Sequence, residues 1–155
     1  MSMKLRFLDG VALTLWVGSL WTVGYLVVPI LFQAQPDKQL AGMLAGEMFR
    51  VQGFVGIACG VYLLLRDGMK YGRLALRQPV FLAIALMLII TLVIQFGIQP
   101  LMAGLKSQAL PLEVMQSTFA ERFGMWHGIS SILYLIESLL GLSVLYLFLR
   151  REPVL

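Results

Sequence analysis

Four apolar runs divide the chain, each long enough to cross a hydrocarbon core of ~30 Å as a helix. They cover residues 7–32, 49–65, 80–102 and 124–149. Lys4 and Arg6 precede the first run, as at the start of a signal peptide. The run is longer than a signal's apolar region, however, and no small-x-small cleavage site closes it, so it reads as a retained span. A polar turn around Pro36-Asp37 follows. Residues 40–48 predict an interfacial lead-in to the second span, with Glu47 and Arg50 spaced i,i+3 for an ion pair. Pro29 and Pro100 predict a kink or an end in the first and third spans. Pro111 interrupts the stretch before the fourth span, residues 112–123 read as an amphipathic lead-in, and Pro153 stops the last helix.

The last run is not uniformly apolar. At ~100° per residue, His127, Ser130, Ser131, Tyr134, Glu137, Ser138 and Gly141 fall within roughly a third of the circumference. Ile129, Ile132, Leu133, Ile136, Leu139 and Leu140 fill the other side. A polar stripe in lipid must turn toward protein or a wet cavity. The pattern therefore predicts a bundle with a polar seam, in which His127, Ser131, Tyr134, Glu137 and Ser138 face Thr14, Tyr25, Gln52 and Gln95. Small residues support close packing: Gly10, Thr14, Gly18 and Thr22 recur every four positions, and Gly42/Gly46 and Gly56/Gly60 are GxxxG pairs. Gly10, Gly18, Gly56, Gly60 and Gly141 are expected at helix contacts. Thr91, Gln95 and Gln99 give the third span one polar edge.

Composition fixes the class. Of 155 residues, 59% are hydrophobic and 13% charged, about half the charged share of a soluble domain. The expected fold is all-α: one polytopic membrane domain over residues 1–155, built as a four-transmembrane-helix bundle. The net charge of +4 points to topology rather than to nucleic acid once its placement is considered. Lys4, Arg6, Arg66, Lys70, Arg73, Arg77, Arg150 and Arg151 fall on one side, and Lys38, Arg50, Lys106 and Arg122 on the other. Basic residues favour the cytoplasmic side, so both termini are expected there, in the inner (plasma) membrane of a bacterial cell. The two halves look alike. Each is a span with a late proline, a polar turn, an acidic lead-in and a Gly-bearing span, offset by 71 residues between Pro29 and Pro100 and by 74 between Glu47 and Glu121. This suggests a duplicated helical hairpin.

Few residues could carry chemistry. Cys59, the single cysteine, lies in an apolar run and reads as a small hydrophobe. His127, the single histidine, reads either as a structural residue near the interface or as a haem or copper ligand. No CxxC and no acidic residue at i+3 or i+4 accompanies it, so a metal would need a ligand from a second chain. Glu137 lies about halfway along its span, where a carboxyl is costly. It either pins the bundle, with Gln95 or Tyr25 as donor, or serves proton relay or ion coupling. No intramembrane Lys or Arg is available to neutralise it, so it is expected to carry its proton. Ten residues, ~15 Å of helix, separate His127 from Glu137, so they cannot share a site within one helix. Trp126 sits where an interfacial belt residue should, and Trp16 and Trp21 are expected to pack internally.

Three stretches carry a resemblance: LWVGSLWTVGYLVVPILF (Leu15–Phe32), AGMLAGEMF and FGMWHGISSILYLIESLLGL. On these the chain resembles the bacterial domain of unknown function 4149 proteins, which are similar to transmembrane-protein-205-like proteins. The resemblance covers nearly the whole chain and implies a four-span bundle without assigned enzymatic activity. The Trp16-Val17-Gly18 core is also similar to a copper-resistance membrane domain, which implies histidine or methionine ligands; this chain offers one His and nine scattered Met. No catalytic residue and no cofactor is expected. The leading functional expectation is a non-enzymatic module that binds a membrane-protein partner, a second copy or a small ligand along the seam. The alternatives are a proton- or ion-coupled transport component using Glu137, and a haem or copper protein using His127.

Overall fold

The computed structural model describes residues 3–150, with side chains from Arg6 onward. The side chain of Lys4 and the expected stop at Pro153, with Arg151 and Glu152, lie outside the described residues. Helix α1 (Met3–Trp21) passes through a π-helical segment, Thr22–Val27, into α2 (Val28–Ala34). Helix α3 (Lys38–Tyr71) follows, and a 3-10 turn, Gly72–Arg77, leads to α4 (Pro79–Leu92). A second π-helical segment, Val93–Ile98, joins α4 to α5 (Gln99–Ala109), and α6 (Ala120–Arg150) closes the chain. The four resulting rods, Arg6–Ala34, Lys38–Arg77, Pro79–Ala109 and Ala120–Arg150, are each long and apolar enough to cross a membrane. Among the described residues there is no strand. This is an all-α, four-span membrane bundle.

The rods form a ring in chain order: α1 packs on α3, α3 on α4, and α4 on α6, which returns to α1. Trp16 fills the centre, fully buried among Leu13, Val17, Met87, Leu88 and Val144. Cys59 is buried in the same cluster, as a small hydrophobe should be. Two glycines of α3 make room for the indole. A Cβ on Gly56 would stand 2.6 Å from Trp16 Nε1, and one on Gly60 2.8 Å from the far edge of its ring. Gly141 likewise admits Val17, with an added Cβ 3.2 Å from its methyl.

The prolines act differently from a simple stop. Both the first and third rods continue through Pro29 and Pro100, and the turn before each widens instead. Proline lacks an N–H and crowds the carbonyl four residues earlier, and a π turn absorbs that mismatch. Val28 N–H bonds to Val23 O and Gln99 N–H to Ile94 O, both five residues back. The two bonds are offset by 71 residues, the spacing of the prolines. The second rod also differs from its expected lead-in: α3 is one unbroken helix, capped at its start by Asp37 Oδ1 accepting from Leu40 N–H at 3.0 Å. The Glu47–Arg50 ion pair is present on its surface at 2.8 Å.

Candidate functional site

Midway along α6 the Glu137 side chain turns inward and is 2% exposed. It begins the eighteenth residue of a 31-residue helix, about 25 Å from the start at ~1.5 Å per residue. Its Oε1 lies 2.7 Å from Thr91 Oγ1 on α4. Thr91 is itself buried, and the same hydroxyl lies 3.0 Å from Met87 O. A hydroxyl has one hydrogen to give. With an ionised Glu137, both acceptors compete for that hydrogen. With a protonated Glu137, the carboxyl donates to Thr91 Oγ1 and Thr91 donates to Met87 O, so both contacts are made. No ion pair reaches Glu137 among the described residues. An unpaired buried carboxylate is far more costly than its neutral acid, so burial and hydrogen counting agree.

The second feature is a small cavity on the side of Glu137 that faces the connection between α5 and α6, residues 110–119 (loop 110). It has a volume of about 20 Å3 and is lined by Phe49, Gln52, Gly53, Thr91, Ile94, Gln95, Tyr134 and Glu137. Gln95 projects from the second π segment and donates to Arg50 O at 3.1 Å. Gly53 is what admits it: a Cβ there would collide with the Gln95 amide oxygen. Gln52 is 7% exposed, and its Nε2 has no hydrogen-bond partner among the described residues. The Trp16 indole N–H is similarly buried. It interacts electrostatically with Glu137 but completes no hydrogen bond of ordinary geometry.

The first π segment supplies the seam's other wall. Tyr25 Oη donates to Ser138 Oγ at 2.9 Å, and Ser138 passes its own hydrogen to Tyr134 O at 2.8 Å. Tyr134 Oη donates to Leu20 O, and its ring packs edge-on to Phe49 and Tyr25, with centroids 5.4 and 6.1 Å away. The Tyr134 ring occupies the space a side chain on Gly24 would need. Tyr25 remains half exposed and marks where the seam meets the bundle surface.

The seam is therefore shorter than the helical-wheel stripe. Tyr134, Glu137, Ser138, Gln52, Gln95 and Tyr25 come together. His127 and Ser131 do not: both are exposed, and Ser131 Oγ donates to His127 O within its own helix. His127 stacks on Phe123 at 5.9 Å. Thr14 is exposed and donates to Gly10 O. A Cβ on Gly18 would meet no atom within 4 Å, so no neighbouring rod uses its smallness, and one on Gly10 would stand at an ordinary van der Waals distance from Phe148, 3.9 Å. Trp21 faces outward at 41% exposure instead of packing internally. The cause is common to these cases. Each lies on a face of its rod that the neighbouring rods do not cover. No group of three or more His, Cys, Asp or Glu able to hold a metal occurs among the described residues.

One polar cluster escaped the sequence reading. Asp9 sits 9% exposed between spans. Arg66 clasps it with Nε–Oδ1 at 3.0 Å and Nη2–Oδ2 at 2.7 Å, and Tyr62 Oη adds a bond of 3.2 Å to Oδ1. The available signal was charge complementarity: one acid in the first turn of the first span and one base just past the end of the second, at the same end of the bundle. Lys106 was also overlooked. Its Nζ donates to Gly42 O at 2.9 Å and sits beside Gly42 and Gly46, so that GxxxG pair seats a side chain rather than a backbone.

The profile of a family described as a domain of unknown function (DUF4149) matches residues 11–111. The match takes in most of the first three rods and ends before α6. No curated protein and no solved structure matches the chain.

Proposed function

The chain belongs to the DUF4149 family of uncharacterised domains, and from that premise we propose that it is a membrane module that carries an exchangeable proton on Glu137. The observation that supports this reading is the buried Glu137–Thr91–Met87 O hydrogen-bond chain, in which a proton on the carboxyl lets both contacts of the Thr91 hydroxyl be made at once. A protonated acid at mid-membrane is the working part of proton relays. The flanking cavity has room for water but not for a small organic ligand. The basic Arg66, Lys70, Arg73 and Arg77 support a cytoplasmic placement of that bundle end, and of both termini, in a bacterial inner membrane.

The test is proton flux. Purified protein in liposomes with a trapped pH dye is given a potassium-driven potential. The expected result is dye acidification or alkalisation above protein-free vesicles, lost in Glu137→Gln. Equal flux in wild type and Glu137→Gln overturns the reading. A second reading rests on the exposed edge of Trp21 and Tyr25, which suits a membrane-protein partner or a second copy. Cross-linking from Tyr25 in native membranes would detect either one.

A further inference from the structure

The polar groups around Glu137 are unequally distributed along the bundle axis. Toward loop 110 lie Gln52, Gln95 and the polar cavity. Toward the Asp9–Arg66 end lie Trp16, Met87 and Val144, each 0% exposed, in the apolar core. Those three line neither this cavity nor the smaller gap of about 10 Å3 beside Asp9 and Arg66.

We propose that the cavity between Gln52 and Glu137 is a water site, and that in this conformation its water gives Glu137 proton exchange from the loop-110 side, so that flux across the bundle requires a second conformation that opens the Asp9 side. The inference deepens the proton-carrying reading and rests on it. Two observations point to the ligand. The Gln52 amide is more than nine-tenths buried, and its Nε2 is an unused donor at the cavity wall. The cavity volume of about 20 Å3 exceeds the roughly 10–15 Å3 one water requires, and a buried water needs two to four polar partners. Gln52 Nε2–H, the Glu137 carboxyl and the Gln95 amide oxygen supply that number. The water would accept from Gln52 and donate to Gln95 or Glu137, and Gln95 continues the polar line to Arg50 O, under the exposed Glu47–Arg50 pair. When the water gives a hydrogen to one carboxyl oxygen as it takes the acidic hydrogen from the other, two O–H bonds break and two form, and both groups stay neutral. No comparable line leaves toward Asp9, where the packed indole and methionine exclude water.

The experiment is hydrogen–deuterium exchange of the Glu137 carboxyl in nanodiscs, read by infrared spectroscopy. The band is first identified by its loss in Glu137→Gln. Its shift in D2O is then timed in wild type, Gln52→Met and Asp9→Asn. Gln52→Met keeps volume and removes the donor. It is expected to slow exchange about tenfold, the rate equivalent of one lost hydrogen bond. Asp9→Asn, at the far end, is expected to leave the rate unchanged. An unchanged rate in Gln52→Met, or slowing confined to Asp9→Asn, overturns the route. Absence of any band lost in Glu137→Gln overturns the protonated carboxyl itself, a separate failure. If Gln52→Met does not fold, Gln95→Met supplies the same comparison, since it removes the cavity's other amide.

Discussion

Adding one methyl group to Gly56 and to Gly18 should have opposite effects on stability. Both glycines lie in helices, so replacing either by alanine gains helix propensity of about 0.5–1 kcal/mol. At Gly18 nothing lies within 4 Å of the new Cβ, so that gain stands alone. At Gly56 the Cβ falls 2.6 Å from Trp16 Nε1 and 3.1 Å from Cδ1. The indole cannot retreat along α3, because its far edge already sits against Gly60, with Leu88 beside that glycine. Overpacking of a filled core costs about 1–3 kcal/mol, which outweighs the propensity gain. The expected separation between the two variants is therefore about 1–3 kcal/mol, with Gly56→Ala below wild type and Gly18→Ala at or above it. Reversible unfolding in mixed micelles with increasing SDS, followed by circular dichroism, measures it. A Gly56→Ala protein as stable as Gly18→Ala would refute the placement of Trp16 against α3, and with it the alignment of the first two spans.

Further expectations concern the seam and the ion pair. Glu137→Gln keeps a donor for Thr91 and should lie within about 1 kcal/mol of wild type in the same titration, because one neutral hydrogen bond replaces another. Glu137→Lys introduces a charge with no partner and should prevent recovery of folded protein from the membrane fraction. Tyr25→Phe removes one bond to Ser138 at a half-exposed site and should cost only about 0.6 kcal/mol, read again by SDS unfolding. Asp9→Asn leaves the Arg66 guanidinium half-satisfied near the bundle's end. Discounted for that partly wet position, the loss should be about 1–2 kcal/mol, and a double-mutant cycle with Arg66→Met should show most of it as coupling.

What could be read from sequence follows from which interactions are local. Four spans, their order and the buried face of Glu137 and Ser138 are set by apolar length and helical period, both visible in one dimension. The Glu47–Arg50 pair is local in the same way. Gln95 was legible through its four-residue repeat with Thr91, although Thr91 rather than Gln95 or Tyr25 reaches the carboxyl. The stripe continued on paper to His127 and Ser131, where the wheel assigns a face but the neighbouring rods no longer cover it. Gly18 fitted a small-residue register that no partner uses, while Gly24 and Gly53, in no such register, admit Tyr134 and Gln95. Which glycine meets which ring depends on the axial offset between rods. That offset is altered by the two π segments, each adding to the turn before its proline. The Asp9–Arg66 clasp links residues 57 positions apart and is equally invisible to local pattern.

The claim on which the account rests is that Glu137 is folded into the bundle as a neutral acid, bonded to Thr91. An infrared difference spectrum between wild type and Glu137→Gln, in nanodiscs at neutral pH, addresses it directly. The expected spectrum loses one protonated-carboxyl C=O band, and that band shifts in Thr91→Val as its hydrogen bond disappears. Loss of a carboxylate band instead, or a C=O band indifferent to Thr91→Val, would contradict the account.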